Sequence, residues 1–160
     1  MLKQLKATNM KIIYNSKIAK IIIPCFKMIL IMSLLLCKKG PEYYKKEEIK
    51  HEECHAFQWK SLCLPGFFLW LFLGTTINNL WLLLLTPFTF YIYYGIEWLI
   101  RFIGKIIKTP PVIKFGLKKW LKGFGELSHE AYREIAFEQE AYAVEKGFIE
   151  YNFLSFFLHY

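Results

Sequence analysis

Apolar positions are unevenly spread along this chain. They form a short stretch near the N-terminus and one long central block, with polar runs before, between and after. Residues 1–40 join a basic lead (Lys3, Lys6, Lys11, Lys17, Lys20) to an apolar stretch, residues 21–37, interrupted by Pro24 and Lys27. That stretch fits a membrane helix or signal anchor. It fits equally two strands of a short N-terminal β-hairpin, because Ile21-Ile22-Ile23 and Met28-Ile29-Leu30-Ile31 are short runs around a proline. Length alone does not choose between them. Gly40-Pro41 is a break, and Pro41 suits the first turn of a helix. Residues 41–61 are polar and helix-compatible, with Glu and Lys at spacings that pair across a solvated helix face. This helix is expected to end near Pro65-Gly66.

Residues 62–107 are almost continuously apolar. The block is too long for one membrane span of ~20 residues and long enough for two with a short turn. Asn78-Asn79 is the first turn candidate and Thr86-Pro87 the second. Glu97 and Arg101 stand four apart, the spacing of a pair within one helix. Residues 108–127 are basic. Ile113, Leu117, Trp120 and Leu121 share a helical face, with Lys114, Lys118, Lys119 and Lys122 elsewhere. An interfacial helix on an anionic leaflet has this pattern, and so does a linker helix packed on the protein. In residues 128–160, Ser128 is a candidate N-cap for a helix to about Lys146, and Gly147 a stop. The aromatic tail after it is too short to span.

Composition adds the class. The chain is 55% hydrophobic and 19% aromatic, which favours a mainly α, integral membrane helical protein over a water-soluble globule. Its net charge of +8 comes from nineteen Lys and only two Arg. Lys beside apolar segments suits a lipid bilayer surface better than nucleic acid. The chain has no Asp, so any carboxylate chemistry falls to its thirteen Glu. Its four Cys form no C-x-x-C pair, and so suggest neither a disulfide framework nor a four-sulfur metal site.

The candidate chemistry lies at His51-Glu52-Glu53-Cys54-His55. On a helix, His51 and His55 share one face and can hold a single Zn²⁺, with Glu52 placed as general base toward a bound water. Gln58 falls on the same face. Catalytic zinc takes three protein ligands. His129, His159 and the Glu residues of the last helix are the candidates. Glu138, followed by the small residue Ala141, lets two helices approach closely, and is the preferred third ligand. Glu134, one turn earlier, and His129 are candidates for supporting positions beside Gln58. His129 or Tyr132 could assist an oxyanion. A shared metal puts residues 51–55 and 138 on the same membrane face, so residues 62–107 must cross an even number of times. The basic flanks suggest a multi-pass protein with its metal site toward the cytoplasm.

The order His51-Glu52-x-x-His55-x-x-Gln58, an aromatic apolar block, then Tyr132-Arg133-x-Ile135-x-Phe137-Glu138-x-Glu140-Ala141-Tyr142 resembles small gluzincin-like membrane proteins of Bacteroidota and their phages. It is similar in motif order to larger membrane zinc proteases of the CAAX, heat-shock and beta-lactam-sensor kinds. The resemblance implies a minimal zincin-like two-helix metal site with Glu138 as third ligand. It also implies edge strands at residues 21–37 that could hold a peptide in extended form. The chain departs from the pattern at Glu53, at Trp59 and at Tyr142, where the larger proteases keep an acid. The expected function is a membrane-embedded zinc metallopeptidase acting on a protein or peptide substrate, with a partner subunit conceivable for so small a chain. The alternatives are a non-catalytic membrane protein with a structural or sensory metal site, and a small phage or host factor in which the His pair is incidental.

Overall fold

The computed structural model describes residues 10–22, 27–108 and 117–148. The protein is mainly helical, with one small sheet. Residues 1–9, Pro24 and Cys25, residues 109–116 and the tail with His159 lie outside the described residues, so the readings made on them stand as expectations.

The described residues fall into two compact units, residues 1–90 with 140–160, and residues 91–139. In the first, strands β1 (Lys11–Ile13), β2 (Met28–Ile31) and β3 (Leu34–Cys37) form a sheet of order β1-β3-β2. β2 pairs antiparallel with β3, Met28 opposite Cys37, and β1 pairs parallel with it, Lys11 opposite Leu34. Residues 28–37 are therefore a hairpin and not part of a span. Its turn is Met32-Ser33, and Met32 takes a left-handed φ of 59°, the sense that matches strand twist. The central strand buries Leu35, Leu36 and Cys37 on both faces, which explains an apolar run without alternation. Ile21 and Ile22 are not a strand. They close helix α1 (Lys17–Ile22), whose first turn is capped where Ser16 Oγ accepts from Ala19 N at 3.2 Å. The strand that does precede the hairpin, β1, lies in the segment read as a basic lead.

Pro41 opens a single 3₁₀ turn, Pro41–Tyr43, and helix α2 follows from Lys46 to Thr76. The α2 start is closed by Glu48 Oε2, which accepts from Lys45 N at 3.1 Å. Glu47 and Glu48 also complement the helix dipole there. Lys27 Nζ reaches Glu48 at 2.8 Å, and the Tyr44 hydroxyl bridges Lys39 N and Lys27 O. These bonds tie the hairpin to the start of α2.

α2 does not stop at Pro65-Gly66. It runs through both to Thr76, and the turn falls at Asn78-Asn79, with Asn78 left-handed (φ 53°). A nine-residue 3₁₀ segment, Leu80–Phe88, packs back along α2, and helix α3 (Thr89–Lys108) continues from it. Trp59 Nε1 donates to Pro87 O at 2.8 Å and Trp70 Nε1 to Thr89 Oγ1 at 2.9 Å. Gly66 is needed at this crossing, because a Cβ there would sit 2.4 Å from Thr89 Oγ1. Proline costs a helix one backbone bond, and close packing at Gly66 outweighs that signal. Lys46–Thr76 and Leu80–Lys108 are both long and apolar enough to cross a membrane. Much of their apolar surface is open, including Leu64, Phe67, Phe68, Phe72, Leu84, Ile96 and Ile100.

In the second unit, α3 presents one polar face, Tyr94, Glu97, Trp98, Arg101 and Lys105, at i, i+3, i+4, i+7 and i+11. Helix α4 (Leu117–Arg133) and the start of helix α5 (Ala136–Glu145) lie along it. Trp98 Nε1 donates to Ser128 O at 3.3 Å, and Lys105 Nζ reaches Glu134 at 2.8 Å and Glu130 at 3.3 Å. Ser128 is thus inside α4 and caps nothing. The single helix expected from Ser128 to Lys146 is broken at Glu134-Ile135. The Ala136 amide, the first of α5, is taken at 3.0 Å by Glu97 Oε1, which also accepts from Arg101 Nε at 2.9 Å. A carboxylate on α3 therefore caps α5. The expected stop after α5 is present. Gly147 has φ 74°, and Gly147 N and Phe148 N bond Val144 O and Ala143 O.

Candidate metal centre

The His motif lies in the second and third turns of α2. His51 and His55 point the same way, with rings edge to face at 83° and centroids 4.8 Å apart. They are 8% and 7% exposed, and Gln58 on the same face is 3% exposed. Against this face pack residues of α5. Ala141 and Val144 bury with Cys54, and the Tyr142 ring meets His51 edge-on at 4.7 Å. Small Ala141 permits that close approach.

The polar contacts fix the tautomer of His55. Gln58 Nε2 donates to Glu140 Oε2 at 2.9 Å, and only the amide nitrogen can donate to a carboxylate. Gln58 Oε1 must then face His55 Nδ1, 2.7 Å away, so that Nδ1 carries the proton. His51 Nδ1 lies 3.2 Å from Glu145 Oε2, an ion-pair distance without hydrogen-bond geometry, so this contact does not set the His51 tautomer. The Gln58 bond puts a lone pair on His55 Nε2, and the two Nε2 atoms converge to 3.2 Å. That separation fits one cation shared by the two nitrogens, and equally an N–H···N bond in which one ring carries its proton on Nε2. Two nitrogens bound at ~2.0–2.1 Å around a tetrahedral zinc would themselves stand ~3.3–3.4 Å apart, so the spacing fits.

Glu138 meets the third requirement. It is 1% exposed, and Tyr94 OH donates to its Oε1 at 2.6 Å. It stands one turn before Ala141 and Tyr142 on α5, hence on the helix face that carries the His51 contact. The ligand atoms of His51, His55 and Glu138 all lie within 4.8 Å of one another, a buried group able to hold a metal ion. Carboxylate and amide partners behind ligating imidazoles are the usual way such groups are oriented.

Glu52 is half-buried and lies about 100° around α2 from His51. That side looks toward β3, where burial first and the Glu52 charge second push the Cys37 thiol up to about 11. The other proposed supports are elsewhere. Glu134 lies in the break between α4 and α5, not on α5, and is engaged by Lys105. His129 is exposed on α4 with its ring stacked on Tyr132, 6.5 Å between centroids. It lines an open surface groove with Lys122, Gly125, Glu126 and Glu130. The supporting positions are held instead by residues the sequence reading did not assign, namely Tyr94, Glu140 and Glu145. Glu140 and Glu145 follow Glu138 by two and seven residues, which was the available signal. For Tyr94 the sequence offered none. The chain matches no family model, no curated protein and no solved structure, so the chemistry of this site rests on its own geometry.

Proposed function

We propose that the protein is a membrane-embedded zinc metallopeptidase of gluzincin-like type, with His51, His55 and Glu138 as metal ligands. The observation that carries this reading is the buried His51–His55–Glu138 group, in which Gln58 holds His55 by its Nδ1 and the two Nε2 atoms converge. A mixed nitrogen and oxygen donor set suits zinc. A zinc ion there would supply Lewis acidity toward a peptide carbonyl and a water. Glu52, adjacent to the first ligand, takes the proton from that water on its carboxylate and passes it to the leaving amine. Gln58, backed by Glu140, keeps His55 in the tautomer that leaves its Nε2 lone pair available to ligate, and the Glu145 carboxylate stands within ion-pair distance of His51 Nδ1.

The protein sits in the bilayer through two spans, Lys46–Thr76 and Leu80–Lys108, which return the chain to the side it left. The abundance of Lys beside both spans favours the cytoplasmic side. The test is Glu52→Gln in detergent-purified protein, assayed for bound zinc and for cleavage of a fluorogenic peptide library. Zinc should stay and turnover should fall by about 10²–10⁴-fold. A wild type without zinc after refilling, or equal turnover in the variant, overturns the reading. The deep burial of all three ligands favours one alternative, a structural or sensory metal site. Zinc retained with no cleavage by the wild type would select it.

A further inference from the structure

Glu138 is the one ligand of the group that could bind through either one oxygen or two. A carboxylate closing on the metal with both oxygens fills the position that a catalytic zinc keeps for water. The structure contains a residue that bears on this choice. Tyr94 OH donates to Glu138 Oε1 at 2.6 Å, a short, charge-assisted bond. The Tyr94 ring cannot easily retreat. It stacks on Phe137 at 6.4 Å and 6° and lies against Tyr132 at 6.1 Å. Phe137 is itself 1% exposed and packed by Tyr93. The backbone that carries Glu138 is pinned too, since Glu97, one turn beyond Tyr94 on α3, caps the Ala136 amide. Both ends of the Glu138 placement are therefore set by α3.

We propose that Tyr94 is a positioning residue that holds Glu138 Oε1 away from the metal, so that Glu138 ligates through Oε2 alone and a coordination position stays open. This rests on the metal-centre reading above and says how that centre is tuned. It also accounts for a tyrosine on the polar stripe of an otherwise apolar helix, where a phenylalanine would pack equally well.

The test replaces zinc with Co²⁺, whose visible bands are intense in four-coordinate sites and weaken as coordination rises. Tyr94→Phe keeps the ring and removes only the hydroxyl. The wild type with Co²⁺ should show intense bands. The variant should bind Co²⁺ 10–100-fold more weakly and show weakened bands as the second oxygen closes in. An unchanged spectrum and affinity in Tyr94→Phe would overturn the role of Tyr94 while leaving the metal centre intact. Absence of Co²⁺ binding by the wild type would sink the metal-centre reading itself. A second measurement needs no variant. In the infrared difference between zinc-loaded and metal-free wild type, a wide separation of the two carboxylate stretches is expected of one-oxygen ligation. A narrow separation would overturn the proposal.

Discussion

The two sides of the candidate metal centre are built by different means. On the α2 side, two ligands and their first support come from eight consecutive residues, His51 to Gln58. Helix periodicity alone lines them up. On the α5 side, Glu138 is placed by a helix break with no proline or glycine in it, by a cap from Glu97 and by a hydroxyl from Tyr94. Those partners stand about forty residues earlier in the chain. A short helical repeat tolerates much change around it. A ligand placed by tertiary contacts depends on each of them. The His side should therefore fail by losing ligands, and the Glu side by losing placement.

The largest expected effect separates the ligands themselves. His55→Ala should bring bound zinc to background, whereas Glu138→Ala should leave a weak two-nitrogen site that loses its zinc on dialysis. Equal losses in both would break the comparison. Next come the supports. Gln58→Leu frees the His55 ring and strands Glu140, and should weaken zinc binding by about 10–100-fold, read by competition with a chelating dye. Glu97→Ala touches no ligand. It should destabilise the fold by about 1 kcal/mol through the lost cap, seen in chemical denaturation, with a smaller loss of zinc affinity than Gln58→Leu. The smallest effect concerns pH. Cys37 rises from an ordinary 9.0 to about 11, by burial and then by the Glu52 charge. Below pH 9.0 both folded and unfolded chains carry the thiol proton, and stability is unaffected. As pH climbs toward 11 only the unfolded chain releases it, so stability should fall across that range. Glu52→Gln should leave the onset unchanged but end that fall at a slightly lower pH and make it smaller, because one cause of the raised folded value is removed.

What could be read from the sequence follows the same divide. The His face, Gln58, the Asn78 turn, the Gly147 stop and the Glu97–Arg101 pair all depend on neighbours within a few residues, and each is found. Glu138 was reached because a small residue three positions on marks a close helix approach. The errors fall where distant groups decide. Pro65-Gly66 looks like a stop until Thr89 is placed against Gly66. Ser128 looks like a cap until α4 is seen to begin at Leu117 and run past it. Glu134 looks like a neighbour of Glu138 on one helix until the break parts them. The 21–37 stretch was ambiguous because a doubly buried central strand and a membrane helix share the same apolar composition.

The polar stripe of α3 has one more consequence. Glu97, Arg101 and Lys105 lie on a helix otherwise suited to hydrocarbon, where each charge costs roughly 2.5–3.5 kcal/mol to insert at mid-depth. Their partners on α3, α4 and α5, among them the Ala136 amide, Glu130 and Glu134, offset much of that cost. Docking of α4 and α5 would therefore make α3 a better membrane span than it is as an isolated segment. Under the two-span reading proposed above, insertion of α3 would be completed only after the chain beyond residue 136 has been made and has folded onto it.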